Sequence, residues 1–76
     1  MVSLSELLVN EHATIRSFTI GRLETNRLAS LGFTPGAQVD MTQNYGRGPL
    51  IVIVRGTRIA LGRGEAAKIF VDRNNS

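Results

Sequence analysis

The chain has 76 residues, 42% of them hydrophobic, with no cysteine and a formal net charge of +3. A chain of this length is expected to be one domain, here residues 1–76, and to bury only about 60% of its unfolded surface. Most of the apolar residues are therefore needed for a core, little volume is left for a buried cofactor, and neither disulfides nor thiolate metal sites are available.

A small domain without disulfide staples points to a reducing cytosol. Met1 to Asn10 carry Glu6 and no basic start, unlike a secretory leader. The longest apolar run, Leu50 to Val54, is far short of the roughly 20 residues that span a bilayer, so no membrane insertion is expected. Eight of the nine basic residues are Arg, but they are scattered, which reads as a solvated surface before it reads as a nucleic-acid face.

In chain order, Ser3-Leu4-Ser5-Glu6 matches the capping box, a hydroxyl residue followed three later by Glu. It predicts a short helix with Leu4, Leu7 and Leu8 on one face, ending near Asn10 and lying over the domain as a lid. Ala13 to Ile20 is rich in β-branched residues and reads as the first strand, broken by Gly21. A two-turn helix is expected over Leu23 to Leu31, with Gly32 in a left-handed cap. Thr34-Pro35-Gly36-Ala37 is a type II turn signal, with Pro second and Gly third.

Ala37 to Gln43 alternates and reads as a half-buried strand. Tyr45 to Pro49 is a loop, and Leu50 to Arg55 is an apolar strand ending in a charge. Gly56-Thr57, with Gly first, suits a type II′ hairpin into a partner strand over Arg58 to Leu61. Gly64 to Lys68 reads as one helical turn, and Ile69 to Val71 as a last strand before a frayed polar tail, Asp72 to Ser76. The fold class is therefore all-β, with short helices. Five short strands closed into a small SH3-like barrel are the economical solution, since closure removes sheet edges.

Catalysis needs a nucleophile with a base, paired carboxylates, or a metal with an open site. His12 is the only histidine, and the six carboxylates are spread singly. Glu11-His12 is the one neighbouring acid–histidine pair; adjacent residues on a strand point to opposite faces, so it reads as a solvated loop rather than a metal site. Gly46-Arg47-Gly48 and Gly62-Arg63-Gly64 lack the strand, the long loop and the Lys-Ser/Thr of a phosphate-binding loop, and read as turn geometry. Phe18, Phe33 and Phe70 lie in or beside apolar segments and read as core; Tyr45, near Arg47, reads as exposed. No catalytic set, cofactor or metal ligand set is expected, so the chain reads as a binding protein and not an enzyme.

Arg27-Leu28-Ala29-Ser30-Leu31-Gly32-Phe33-Thr34-Pro35-Gly36 resembles the R-L-x-x-L-G-hydrophobic-x-P-G segment of the FeoA family, small cytosolic accessory proteins of bacterial ferrous iron uptake. The likeness continues through Ala37-Gln38-Val39, Gly48-Pro49-Leu50, Val54-Arg55-Gly56, Ile59-Ala60-Leu61, Glu65-Ala66 and Ile69-Phe70-Val71, so that it runs from Ser3 to Val71. Two departures stand out. Asn10-Glu11-His12 replaces a turn that often holds Gly, and Gly62 follows Ile59-Ala60-Leu61 where the family often has Arg. The resemblance implies an SH3-like barrel that acts on the membrane ferrous iron transporter, at its cytoplasmic GTPase region.

Under that reading Leu23, Arg27, Tyr45 and Arg47 are the candidate partner-contact residues, because the loop after the first strand of such barrels borders the ligand groove and Tyr and Arg are enriched at interfaces. Each has a plain alternative: Leu23 in the core, Arg27 on a solvated helix face, Tyr45 and Arg47 in an idle loop. Two other readings stand beside it. One is the SH3-like domain of an iron-dependent repressor, excised from its DNA-reading helices. The other is a small basic RNA-binding barrel, which counterion release would make steeply salt-dependent.

Overall fold

The computed structural model describes residues 1–74. Six strands form one antiparallel sheet in the order β1-β6-β2-β3-β4-β5: β1 (Val2–Ser3), β2 (His12–Phe18), β3 (Gln38–Gln43), β4 (Leu50–Val54), β5 (Thr57–Leu61) and β6 (Ile69–Arg73). Helix α1 (Arg22–Ser30) joins β2 to β3, and the one-turn helix α2 (Arg63–Ala66) joins β5 to β6.

The alternation in the sequence is what buries the sheet. Ala13 and Ile15 of β2, Val39 and Met41 of β3, Leu50, Val52 and Val54 of β4, Ile59 and Leu61 of β5, and Ile69 and Val71 of β6 all face one core. Their neighbours along each strand face outward, as a period of two requires. Leu28 from α1 and Phe33 just beyond it complete that core, and both are fully buried.

The Arg27-to-Gly36 segment shows how local chemistry sets this packing. Gly32, at φ 105°, closes α1. Its N–H donates to the Ala29 carbonyl and that of Phe33 donates to the Leu28 carbonyl, the paired bonds of a Schellman cap. The cap turns Phe33 inward. Three residues on, Gly36 at φ 92° and the 3.0 Å bond from Ala37 N–H to the Thr34 carbonyl form the expected type II turn into β3.

Several expectations are corrected. Among the described residues there are six strands rather than five, because Val2–Ser3 pairs with Val71 and Phe70, and β1 and β5 do not pair with each other, so closure does not remove the sheet edges. The lid is a single 3-10 turn, Leu4–Glu6, held by a 3.3 Å bond from the Ser3 N–H to the Glu6 carboxylate. Leu4 and Leu7 are buried, but the chain is extended by Leu7 and leaves Leu8 67% exposed. The first full strand, β2, starts at His12 and ends at Phe18.

The hairpin turns at Arg55-Gly56, not Gly56-Thr57. Val54 pairs with Thr57, and φ is positive at both Arg55 (51°) and Gly56 (78°), which makes the turn type I′. Phe18 and Phe70 are half-buried, and only Phe33 is fully enclosed. The tail is shorter than expected: Asp72 and Arg73 belong to β6, and the Asn74 N–H donates to the His12 carbonyl at 3.0 Å. The rest of that expected tail, Asn75 and Ser76, lies outside the described residues.

Asn10 has φ 74°, so in the turn before β2 an asparagine adopts the left-handed conformation for which Gly is the usual choice. Gly62 and Gly64 need no such conformation: neither has positive φ, and Gly62 is simply the residue that opens α2.

Candidate functional site

The four candidate residues lie on two elements. Leu23 and Arg27 sit one turn apart on α1, and Tyr45 and Arg47 sit in the β3–β4 loop. Leu23 is 82% exposed, so it is not a core residue; Leu28 alone anchors the helix. Arg27 reaches across to Glu65 of α2 in an ion pair. Tyr45 is 77% exposed. Arg47 is exposed and makes no ion pair among the described residues.

Helix α2 connects the two groups. On one side its Glu65 holds Arg27. On the other its Arg63 donates to the Gly48 carbonyl at 3.1 Å and to the Asn44 side-chain oxygen at 2.8 Å. Arg63, which follows the departure at Gly62, is thus occupied in fixing the loop that carries Tyr45 and Arg47.

The hub of this region is Asn44, which the sequence did not mark out. Its amide nitrogen donates to the Leu7 carbonyl at 2.7 Å and to the Ser5 carbonyl at 3.2 Å. Its oxygen accepts from the Gly46 N–H at 3.0 Å as well as from Arg63. One side chain therefore ties the lid, the loop and α2 together. The available signal was an Asn at a strand end before a Gly-rich loop, where local side-chain-to-backbone bonds are common.

Elsewhere, β2 and β3 bring His12 opposite Asp40, and their side chains bond at 2.7 Å. This acid–histidine contact is separated by 28 residues and was invisible to spacing. His12 is a strand residue rather than a loop one, and Glu11 turns away from it to pair with Arg73 at 3.1 Å. Among the described residues no three His, Cys, Asp or Glu side chains converge to hold a metal ion. A shallow depression lined by Met1, Val2, Asp72 and Arg73 contains none of the four candidates. Asp72, half-buried in its lining, has its carboxyl held below the usual aspartate range chiefly by its hydrogen bond from Arg16 at 2.6 Å. No described helix is long and apolar enough to cross a membrane.

This is a small domain of the SH3-like type, whose candidate surface is built from one helix and one loop held on either side of α2. The FeoA domain family matches residues 2–73, and the chain belongs to that family. It is 34% identical over 62 residues to a candidate Fe(2+) transport protein A of Methanocaldococcus jannaschii, covering 82% of this chain and 74% of that protein. Among solved structures it is similar to an iron uptake regulatory protein, FeoA, with 32% identity, a TM-score of 0.90, and coverage of 96% and 97% of the two chains. It is also similar to the zinc-complexed FeoA of Stenotrophomonas maltophilia, described as a prokaryotic SH3-domain protein and a candidate ferrous iron transport activating factor. There the identity is 35% and the TM-score 0.83, over 95% of this chain and 91% of that one.

Proposed function

We propose that this protein is a cytoplasmic, non-enzymatic accessory of ferrous iron uptake that docks on the cytoplasmic GTPase region of the membrane iron transporter. Family membership supports the iron-uptake context. The observation that carries the docking surface is the joint exposure of Leu23 and Tyr45, each beside an Arg. One exposed Leu is ordinary. Both lie on elements bonded to the same short helix, and Tyr45 and the Arg beside each of them are residue types enriched at interfaces.

The test is a titration against the purified GTPase region of the cognate transporter, with and without guanine nucleotide, at low and high salt. Saturable binding is expected, weakened about tenfold by Leu23→Ser and by Tyr45→Ala, the loss typical of interface anchors. Neither change should alter the thermal midpoint. Absence of binding under every condition would refute the reading, and unchanged binding by both variants would refute the surface.

A further inference from the structure

We propose that the open edge of β5 takes an extended acidic peptide by β-strand addition, pairing with the outward backbone groups of Arg58 and Ala60 and setting a carboxylate against the Arg58 guanidinium. The proposal is independent of which protein supplies the peptide.

The sheet has two edges, and they differ. β1 is two residues long; β5 is five, and it pairs with β4 on one side only. Because the hairpin closes at Val54–Thr57 through a two-residue turn, Thr57, Ile59 and Leu61 exchange backbone bonds with β4. The N–H and C=O groups of Arg58 and Ala60 then point away from the sheet. Among the described residues, no backbone bond from residues 57–61 reaches any element outside the hairpin. Both Arg58 and Ala60 are exposed, while Ile59 and Leu61 are buried on the other face. This is the row of free donors and acceptors that recruits an added strand.

The charge around that edge selects the occupant. Residues 42–71 hold Arg47, Arg55, Arg58, Arg63 and Lys68 against a single acid, Glu65, and Arg27 already pairs with it. The turn at one end of the hairpin carries Arg55. The pairing of Leu50 with Leu61 brings the loop holding Arg47 to the other end. Arg58 itself makes no ion pair among the described residues. A second copy of this chain would bring its own basic edge against this one, like charge against like. A strand with carboxylates on one face and apolar residues on the other matches both faces of β5.

The experiment titrates the protein with a short acetylated, amidated peptide of alternating Glu and Val, following the exchange rates of individual amide hydrogens. Slowed exchange at Arg58 and Ala60 on saturation is expected. Arg58→Ala should weaken binding about fivefold, the upper end for an exposed charge pair, and Ala60→Pro, which removes one outward N–H, should abolish it. A peptide N-methylated along its pairing edge should not bind. Equal binding by the N-methylated peptide would overturn the proposal, since charge alone would then suffice. So would unchanged exchange at Arg58 and Ala60, or binding to phosphatidylserine vesicles or polyuridine RNA with none to the peptide. If Ala60→Pro does not fold, the Arg58→Ala titration and the N-methylated peptide decide the matter.

Discussion

Replacing Asn44 by Ala removes four hydrogen bonds with one side chain: two donated to the Ser5 and Leu7 carbonyls and two accepted from Gly46 and Arg63. A hydrogen bond contributes about 0.5–1.5 kcal/mol net, and Asn44 is only half-buried, so water will satisfy part of what is lost. The expected cost is about 2 kcal/mol, a large share of the roughly 5 kcal/mol available to a domain this small. The thermal midpoint should fall by about 8–16 °C, which scanning calorimetry or circular dichroism would read directly. Asn44→Asp separates the two halves of the network. It keeps the oxygen that faces Arg63 but sets a second oxygen against the Ser5 and Leu7 carbonyls, so it should destabilise about as much as Ala. A midpoint for Asn44→Ala within about 2 °C of the parent would refute the view that this amide holds lid, loop and α2 together.

Gly32→Ala should cost about 2 kcal/mol in denaturant unfolding: φ is 105°, and an added Cβ would stand 3.2 Å from Arg55 Cδ and 3.3 Å from Val54 Cγ1. Leu7→Ala should cost about 2–5 kcal/mol by the same measurement, as for any enclosed leucine, while Leu8→Ser stays within about 0.5 kcal/mol of the parent. For Asp72 the folded carboxyl titrates below its ordinary value, chiefly through Arg16. Its stabilising contribution is therefore complete above about pH 4 and disappears as pH falls through the lowered folded value. Urea midpoints of Asp72→Asn should accordingly lie below the parent's near pH 7 and converge with it in acid.

Those features of the fold that depend on short-range chemistry were legible in the sequence. The Gly32 cap, the Thr34-to-Ala37 turn and the alternation of Val39 and Met41 each follow from a few neighbouring residues, and each stands where it was expected. What was missed depends on distant partners. Val2–Ser3 is too short to show a period, and becomes a strand only because Val71 and Phe70 lie beside it. Leu8 fits a helical face, but the chain is already extended at Leu7. The hairpin register was misread by one residue because Arg55 adopts a left-handed φ that a non-glycine rarely takes. Its side chain is held there by the Gly32 carbonyl and the Thr34 hydroxyl. At the candidate surface, the residue types of Leu23, Arg27, Tyr45 and Arg47 were readable. The clamp through Asn44 and Arg63, with contacts 19 to 39 residues apart, was not.

The strand order has a consequence for how the polypeptide is made. β6, synthesised last, inserts between β1 and β2, which are made first. Until Arg73 has cleared the ribosome, the groups on β2 that will pair with β6 stay open, and Ala13 and Ile15 have no lasting cover on that side. The sheet therefore stays incomplete until β6 is available. A product that stops just before β6 would leave β1 and β2 both unpaired where β6 belongs, two open edges within the sheet.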